Sequence, residues 1–432
     1  MRCLPIIILI ALSFAPLQAS AGGAVIVVVD ALGSSYLSPN TATYVSGGTI
    51  PPVEVTAFDR ADARYQLKVP VPSTEFGHAV IVTGYSNASE QTVAYYHSTI
   101  FDVLQDDGYL TMGIMENGDT PEMLGELDAA VHNMNESIYD PDYEFVQNDG
   151  NMPADIVRMM SEYPRTPPAK AGKGAYAPYI NYNAWGLGFT RDLVRYMAGH
   201  HPGQDYILIV NVGGLDSAGH NLGCDGYRAV LSGMDDDLSG LVDACKASGT
   251  VLMVTGDHGM SFKNEGAKGA HASQNVAYRE ESLMVPLLIY SNVTARGEGP
   301  SGQESIAPTL LAILDEPNTL GMSDGEPLPV KEKPTLYLDS KDHENITITG
   351  PNFNTTLSFS GIYRIKGLEK GDYLVSYGSV QKAIQLDHDE IVEIREDGQS
   401  APATPPWMVY LAVAGISVAG IGIALTLAWL RK

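Results

Sequence analysis

Ala24–Asp30 reads A-V-I-V-V-V-D, a continuous apolar and largely β-branched run that stops at an acid. A run without polar alternation is the pattern of a strand buried on both faces, as in parallel sheets. An acid at the carboxyl end of such a strand stands where open α/β sheets place their ligands. A turn aspartate opening a loop looks the same in isolation, so the reading depends on whether other strands end alike. Asp205–Val212, D-Y-I-L-I-V-N-V, runs into G-G-L-D-S-A-G-H and delivers Asp216 and His220, four apart in a glycine-rich loop. Thr250–Thr255 runs into G-D-H-G-M, giving adjacent Asp257 and His258 between glycines that let backbone and a bound ion approach closely. Further on, K-G-A-H-A-S-Q-N holds His271.

A hydroxyl joins this set from Val71–Tyr85, V-P-S-T-E-F-G-H-A-V-I-V-T-G-Y. Pro72 forbids a helix behind it and biases Val71 to extended geometry. Ser73 or Thr74 can cap the apolar run Phe76, Ala79, Val80, Ile81 and Val82, which reads as a buried helix. A hydroxyl there meets backbone N–H groups and a dipole that favour negative charge. Glu75 either complements the same dipole or takes part in the chemistry, and His78 is expected to pack beneath the turn. Elsewhere the pattern predicts helices over Ser98–Asp107, Asn183–Ala198, Tyr227–Ala244 and Ser305–Leu314, and strands over Tyr109–Met115 and Ser282–Tyr290. Pro141–Pro178, rich in Tyr, Pro and Gly without a period, reads as loops.

Both ends differ from this body. Met1-Arg2, the apolar run Leu4–Phe14 and Gln18-Ala19-Ser20-Ala21 have the three regions of a secretory signal over 1–21. Met408–Leu430 is free of charge and long enough to span a bilayer, with Trp407, Tyr410 and Trp429 as interfacial anchors. Arg431-Lys432 then place the C-terminus in the cytoplasm and argue against a removed lipid-anchor signal. The expectation is a domain over 22–330, a small antiparallel β-sandwich-like module over 331–396, a linker at 397–406, a transmembrane helix at 407–430 and a tail at 431–432. The module has no chemical constellation and reads as a stalk or as a contact to a cell-envelope polymer. The expected location is a single-pass cell-membrane protein with its body outside.

A net charge of −25 excludes a nucleic-acid partner, because phosphate contacts need a basic face. An anionic substrate needs local positive charge to overcome that field. Sequons at Asn87, Asn135, Asn292, Asn345 and Asn354 are compatible with a glycoprotein. Cys224 and Cys245 flank the predicted Tyr227–Ala244 helix. About 20 residues at 1.5 Å rise separate them by roughly 30 Å, far beyond disulfide reach, so both thiols are expected to be unpaired.

Asp30, Thr74, Asp216, His220, Asp257, His258 and His271 thus all lie at strand ends or just beyond, and parallel strands gather those ends on one edge. Three carboxylates, three imidazoles and a hydroxyl suit two divalent cations, zinc favoured and manganese the alternative. Such a pair can hold both oxygens of an in-line displacement and supply the positive charge an anionic ester needs.

The order of these motifs over residues 24–315 resembles the alkaline phosphatase superfamily. T-E-F-G-H looks like the nucleophile motif of cofactor-independent phosphoglycerate mutases, which have serine first. Its spacing is similar to nucleotide pyrophosphatase/phosphodiesterases, which use threonine with a histidine four residues on. G-L-D-S-A-G-H and T-G-D-H-G-M look like the metal loops of both. The resemblance implies an α/β domain, with a mostly parallel central sheet and helices on both faces. It implies one metal on Asp216, His220 and His271, another on Asp30, Asp257 and His258, and Thr74 as a nucleophile touching the second. The sulfatase motif C-x-P-x-R or S-x-P-x-R is absent. Gly84–Asp205 is too short for the second domain of the mutases. Lys263, Lys268, His97 and Asn183 are the candidates for gripping the phosphate. The activity expected is metal-dependent hydrolysis of phosphate mono- or diesters through a phospho-threonine. The alternatives are a phosphoryl or phospho-head-group transferase and an inactive envelope-binding scaffold.

Overall fold

The computed structural model describes residues 22–115, 121–169, 174–291 and 297–395. The chain divides into two compact units, with the boundary in the chain between Glu332 and Lys333.

The first unit is built on a nine-stranded sheet. In chain order its strands are β1 (Gly23–Val29), β2 (Ala63–Lys68), β3 (Leu110–Met115), β4 (Ala129–Asn133), β5 (Tyr143–Gln147), β6 (Tyr206–Val212), β7 (Val251–Thr255), β8 (Met284–Tyr290) and β9 (Glu298–Gly302). Across the sheet the order is β9-β2-β8-β7-β1-β6-β3-β4-β5. The middle strands β7, β1, β6, β3 and β4 run parallel, and β8 and β5 run against their neighbours.

β1 is buried along its whole length. Val25, Val27 and Val29 enter the core on one face, Ala24, Ile26 and Val28 that on the other. Each of these valines and Ile26 contributes roughly 1.5–3 kcal/mol when fully buried, so β1 has no face it could turn to water. Helices α1 (Thr74–Thr83), α2 (Ile100–Asp106) and α6 (Ile306–Leu314) cover one face. The other is covered by α3 (Ala177–His200), α4 (Gly214–Gly233) and α5 (Asp235–Ser248). Register then fixes the site: Val29 lies opposite Val212 and Val28 opposite Thr255. Strands β1, β6 and β7 therefore end nearly level, and the residues after them emerge together on one edge.

The second unit has a core of its own around Leu338, Ile346, Ile348, Tyr373 and Val375. It is one five-stranded sheet rather than the two of a sandwich. Its long strand Leu336–Gly350 pairs antiparallel with Phe353–Ile365 and, in its later half, with Gly371–Tyr377. A register shift between Ser340 and Glu344 divides that strand, and its first half pairs parallel with Glu390–Ile394.

Several expectations change. Pro141–Pro178 is not all loop: it holds β5 and a helix, Ala154–Ser161. The glycine-rich segment after β6 is the start of α4, so Asp216 and His220 lie one turn apart on a helix. Tyr227–Ala244 is divided at Met234 between α4 and α5. Cys224 and Cys245 are both free and buried.

The expected leader at 1–21 and membrane span at 407–430 lie outside the described residues. Among the described residues no helix is long and apolar enough to cross a membrane. Even the 24-residue α3 carries Arg191, Asp192 and Arg195. The fold class is corrected to an α/β core with a C-terminal β module and, among the described residues, no transmembrane helix. The single-pass cell-membrane location is withdrawn with it.

Candidate metal centre

Asp30 leaves β1 buried, its N–H donating to the Val212 carbonyl at 3.2 Å, which continues the ladder one residue past the strand. Asp257 and His258 leave β7 and are fully buried. The Asp257 Oδ1 atom accepts the N–H groups of Ala31 (3.0 Å) and His258 (2.8 Å), which aims Oδ2 into the cluster. The His258 ring meets the Gly259 carbonyl through Nδ1 at 2.9 Å. A carbonyl can only accept, so Nδ1 carries the hydrogen and Nε2 presents a lone pair. Around Nε2 stand Asp30 Oδ1 at 3.4 Å, Asp257 Oδ2 at 3.5 Å and Thr74 Oγ1 at 3.2 Å.

A second set lies beside the first. His271 donates from Nδ1 to the Pro72 carbonyl at 2.8 Å, which turns Nε2 toward Asp216 Oδ1 at 3.7 Å. His220 Nε2 is 3.3 Å from the same oxygen. The His258 and His271 rings stack, with centroids 3.8 Å apart. Asp30, Asp257 and His258 have donor atoms within 4.8 Å of one another, and so do Asp216, His258 and His271. His258 is therefore common to both groups, and His220 enters through Asp216.

Burial alone would raise the Asp216 carboxyl, but the hydrogen bond to His220 and the charges of His258, His220 and His271 outweigh it and hold it low. The same bond raises His220, while burial and then His258 push His271 down. Asp257 Oδ2 is buried and accepts no hydrogen bond. A buried carboxylate oxygen without a partner is costly, and a cation between carboxylates and imidazole lone pairs would relieve it. The donor chemistry fits divalent ions, and the carbonyls behind both imidazoles are the outer partners that metal-binding histidines commonly have.

Helix α1 brings the hydroxyl. Thr74 is its first residue, and Ser73 donates its hydroxyl to Glu75 Oε2 at 2.7 Å instead of capping the backbone. The helix sits close because residue 77 has no side chain: a Cβ there would lie 2.4 Å from the Asp257 carbonyl oxygen. His78 is buried beneath the turn, with Nδ1 donating to the Thr74 carbonyl at 2.9 Å.

Of the proposed phosphate grips, Lys268 is exposed and close enough to His220 for its charge to oppose protonation of that ring. Lys263 is exposed, and its backbone carbonyl accepts the Ser46 N–H at 3.0 Å. His97 pairs instead with Asp106 at 3.6 Å and packs edge-on against Tyr96. Asn183 is fully buried in α3, so it cannot meet a substrate from there; its Oδ1 accepts the Gly214 N–H at 2.8 Å. Sequence reasoning gave no role to Gln303, whose Nε2 donates to the carbonyls of Gly256 (3.0 Å) and Asp257 (2.9 Å). A lone glutamine in the polar run S-G-Q-E-S carries no signal that would have found it.

Residues 191–336 match the family model of the Metalloenzyme superfamily. A 2,3-bisphosphoglycerate-independent phosphoglycerate mutase of Prochlorococcus marinus (strain MIT 9313) is 29% identical over 134 residues, which is 30% of this chain and 25% of that protein. The mutase of strain MIT 9303 is 30% identical over 135 residues, with the same coverage. The chain thus spans about a quarter of the length of these curated relatives. Among solved structures, a protein in the alkaline phosphatase superfamily from Vibrio parahaemolyticus aligns with a TM-score of 0.48 at 14% identity, covering 85% of this chain and 80% of that one. The lipoteichoic acid synthase LtaP from Listeria monocytogenes aligns with a TM-score of 0.46 at 11% identity, covering 81% and 86%. The segment that matches the Metalloenzyme superfamily model supplies Asp216, His220, Asp257, His258 and His271, five of the seven residues of the candidate centre.

Proposed function

We propose that the protein hydrolyses phosphate mono- or diesters in two steps, with Thr74 as the nucleophile. The observation that carries this reading is the 3.2 Å contact between the Thr74 hydroxyl and His258, the residue common to both donor groups. Asp30, Asp257 and His258 would hold one divalent ion, and Asp216, His220 and His271 the other, with zinc favoured over manganese by the three imidazoles. Bound there, such ions supply Lewis-acid charge to the oxygens on phosphorus and lower the proton affinity of an adjacent hydroxyl.

The chain's own groups do the rest. Thr74 Oγ1 attacks phosphorus in line, the Thr74 O–P bond forms, and the bond from phosphorus to the ester oxygen breaks. The departing alcohol carries off the proton that the hydroxyl gives up. Water then attacks the phospho-threonine, the Thr74 O–P bond breaks, and phosphate or its monoester leaves. The backbone N–H groups at the start of α1 favour the negative charge that gathers there. Lys268 adds positive charge near His220, on a chain whose net charge would otherwise repel an anion.

The test is release of p-nitrophenol from p-nitrophenyl phosphate and bis(p-nitrophenyl) phosphate, with zinc, manganese and magnesium added in turn. The expected result is metal-dependent turnover that disappears in Thr74→Ala. No turnover with any metal would overturn the hydrolase reading. Products formed with an added alcohol acceptor separate hydrolysis from transfer.

A further inference from the structure

Two fully buried carboxamides, Asn183 and Gln303, each hold one of the loops that carry the donors. We propose that they are positioning residues, one for each donor set, an inference that rests on the metal-dependent reading above. Asn183 Oδ1 accepts the N–H of Gly214, the first residue of α4 and two residues before Asp216. Because α4 also carries His220, this bond sets where both donors stand. A Cβ on Gly214 would lie 2.4 Å from Asn183 Oδ1 and 2.5 Å from the Tyr179 carbonyl oxygen, so the start of α4 is pressed onto α3.

Gln303 works with the opposite polarity. Its amide nitrogen donates to two successive carbonyls, Gly256 and Asp257, on the turn that aims the Asp257 carboxylate. The polarity of each amide follows from its partners: an N–H needs an acceptor, and two carbonyls need a donor.

Each amide leaves its far end, Asn183 Nδ2 and Gln303 Oε1, buried with no hydrogen bond among the described residues. A buried polar atom without a partner is destabilising, so an apolar side chain would serve packing better at either position. What the amides supply is the placement of two loops, and local conflicts of this kind gather at functional sites.

The experiment titrates zinc alone into the full chain after chelation and dialysis, with calorimetry as the readout and circular dichroism to confirm folding. Wild type is expected to bind two equivalents. Asn183→Leu should weaken about 10–100-fold the equivalent that Asp216→Ala abolishes, leaving the other unchanged. Gln303→Glu, nearly isosteric but without the amide donor, should weaken by a similar factor the equivalent that Asp257→Ala abolishes. Asn183→Asp keeps the accepting oxygen and should restore wild-type binding, a rescue that a purely structural role does not predict. Asn183→Ala and Gln303→Asn replace the first variants should either fail to fold. Two unchanged equivalents in the folded variants would overturn the proposal and leave the metal reading intact. A wild type that binds no zinc would overturn both.

Discussion

The Thr74 hydroxyl lies 3.2 Å from Nε2 of His258, although 184 positions separate the two residues. Two elements meet to make this contact, the first turn of α1 and the turn after β7. A hydroxyl held there is a nucleophile if it reacts and only a packing group if it does not. Thr74→Ser keeps the oxygen and should retain turnover within about 10-fold, whereas Thr74→Ala should lower kcat by about 10³-fold or more. Phosphate transferred from substrate should appear on wild-type protein in a rapid acid quench and be absent from the alanine variant. Equal labelling of both would remove Thr74 from the mechanism.

That contact depends on Gly77. A methyl group there would stand 2.4 Å from the Asp257 carbonyl oxygen and 2.8 Å from its Cβ, neither of which is the end of a flexible side chain. Gly77→Ala should therefore push α1 away from β7, at a cost of about 1–3 kcal/mol, and lower kcat more than KM. Gly125→Ala is the control, because a Cβ there meets nothing within 4 Å. It should leave activity unchanged and stability the same or slightly higher. Matching losses in the two variants would show that the close approach is not what matters.

The central strands and the site's donors were legible in the sequence for one physical reason. β1, β6 and β7 are buried on both faces, so their composition is apolar but for Asn211 and Thr255, and the acid that follows each marks where the sheet stops. The outer strands lack that signal: β2, A-R-Y-Q-L-K, alternates between buried and exposed positions and went unrecognised. The loop expected around Asp216 failed because glycine reads as a breaker from composition alone. Gly214 is instead a glycine of close approach, required by the Asn183 side chain and the Tyr179 carbonyl. That requirement comes from a helix some thirty residues earlier, and so does the corrected role of Asn183. Gln303 was invisible for the same reason, since its partners are backbone atoms that only the fold brings to it.

Away from the metal centre, Glu126 should make stability fall as pH rises. Burial, and then the charge of Asp102, push its carboxyl from the ordinary 4.5 up to about 7. Between those values the folded chain keeps a proton that the unfolded chain has lost, so the native state binds more protons and stability declines across that window. Glu126→Gln, neutral at every pH, should raise the thermal midpoint at pH 8 and give no gain at pH 4. A gain of equal size at both values would mean that packing rather than ionisation is responsible.

Removing divalent ions should lower the thermal midpoint. Asp30, Asp257 and His258 are each no more than 1% exposed, and Asp257 Oδ2 has no hydrogen-bond donor. An ion that binds only the native state adds about 2.7 kcal/mol at a hundredfold excess over its dissociation constant. Scanning calorimetry with a chelator, and again after zinc or manganese is returned, measures that increment. Asp257→Asn keeps the Oδ1 atom that accepts from Ala31 and His258 while removing the charge. Its midpoint should lie above chelated wild type, because one buried anion is gone, and below the metal-loaded protein. Adding metal should raise it by less than it raises wild type, through the Asp216 set alone. An undiminished response would mean that Asp257 is not a ligand.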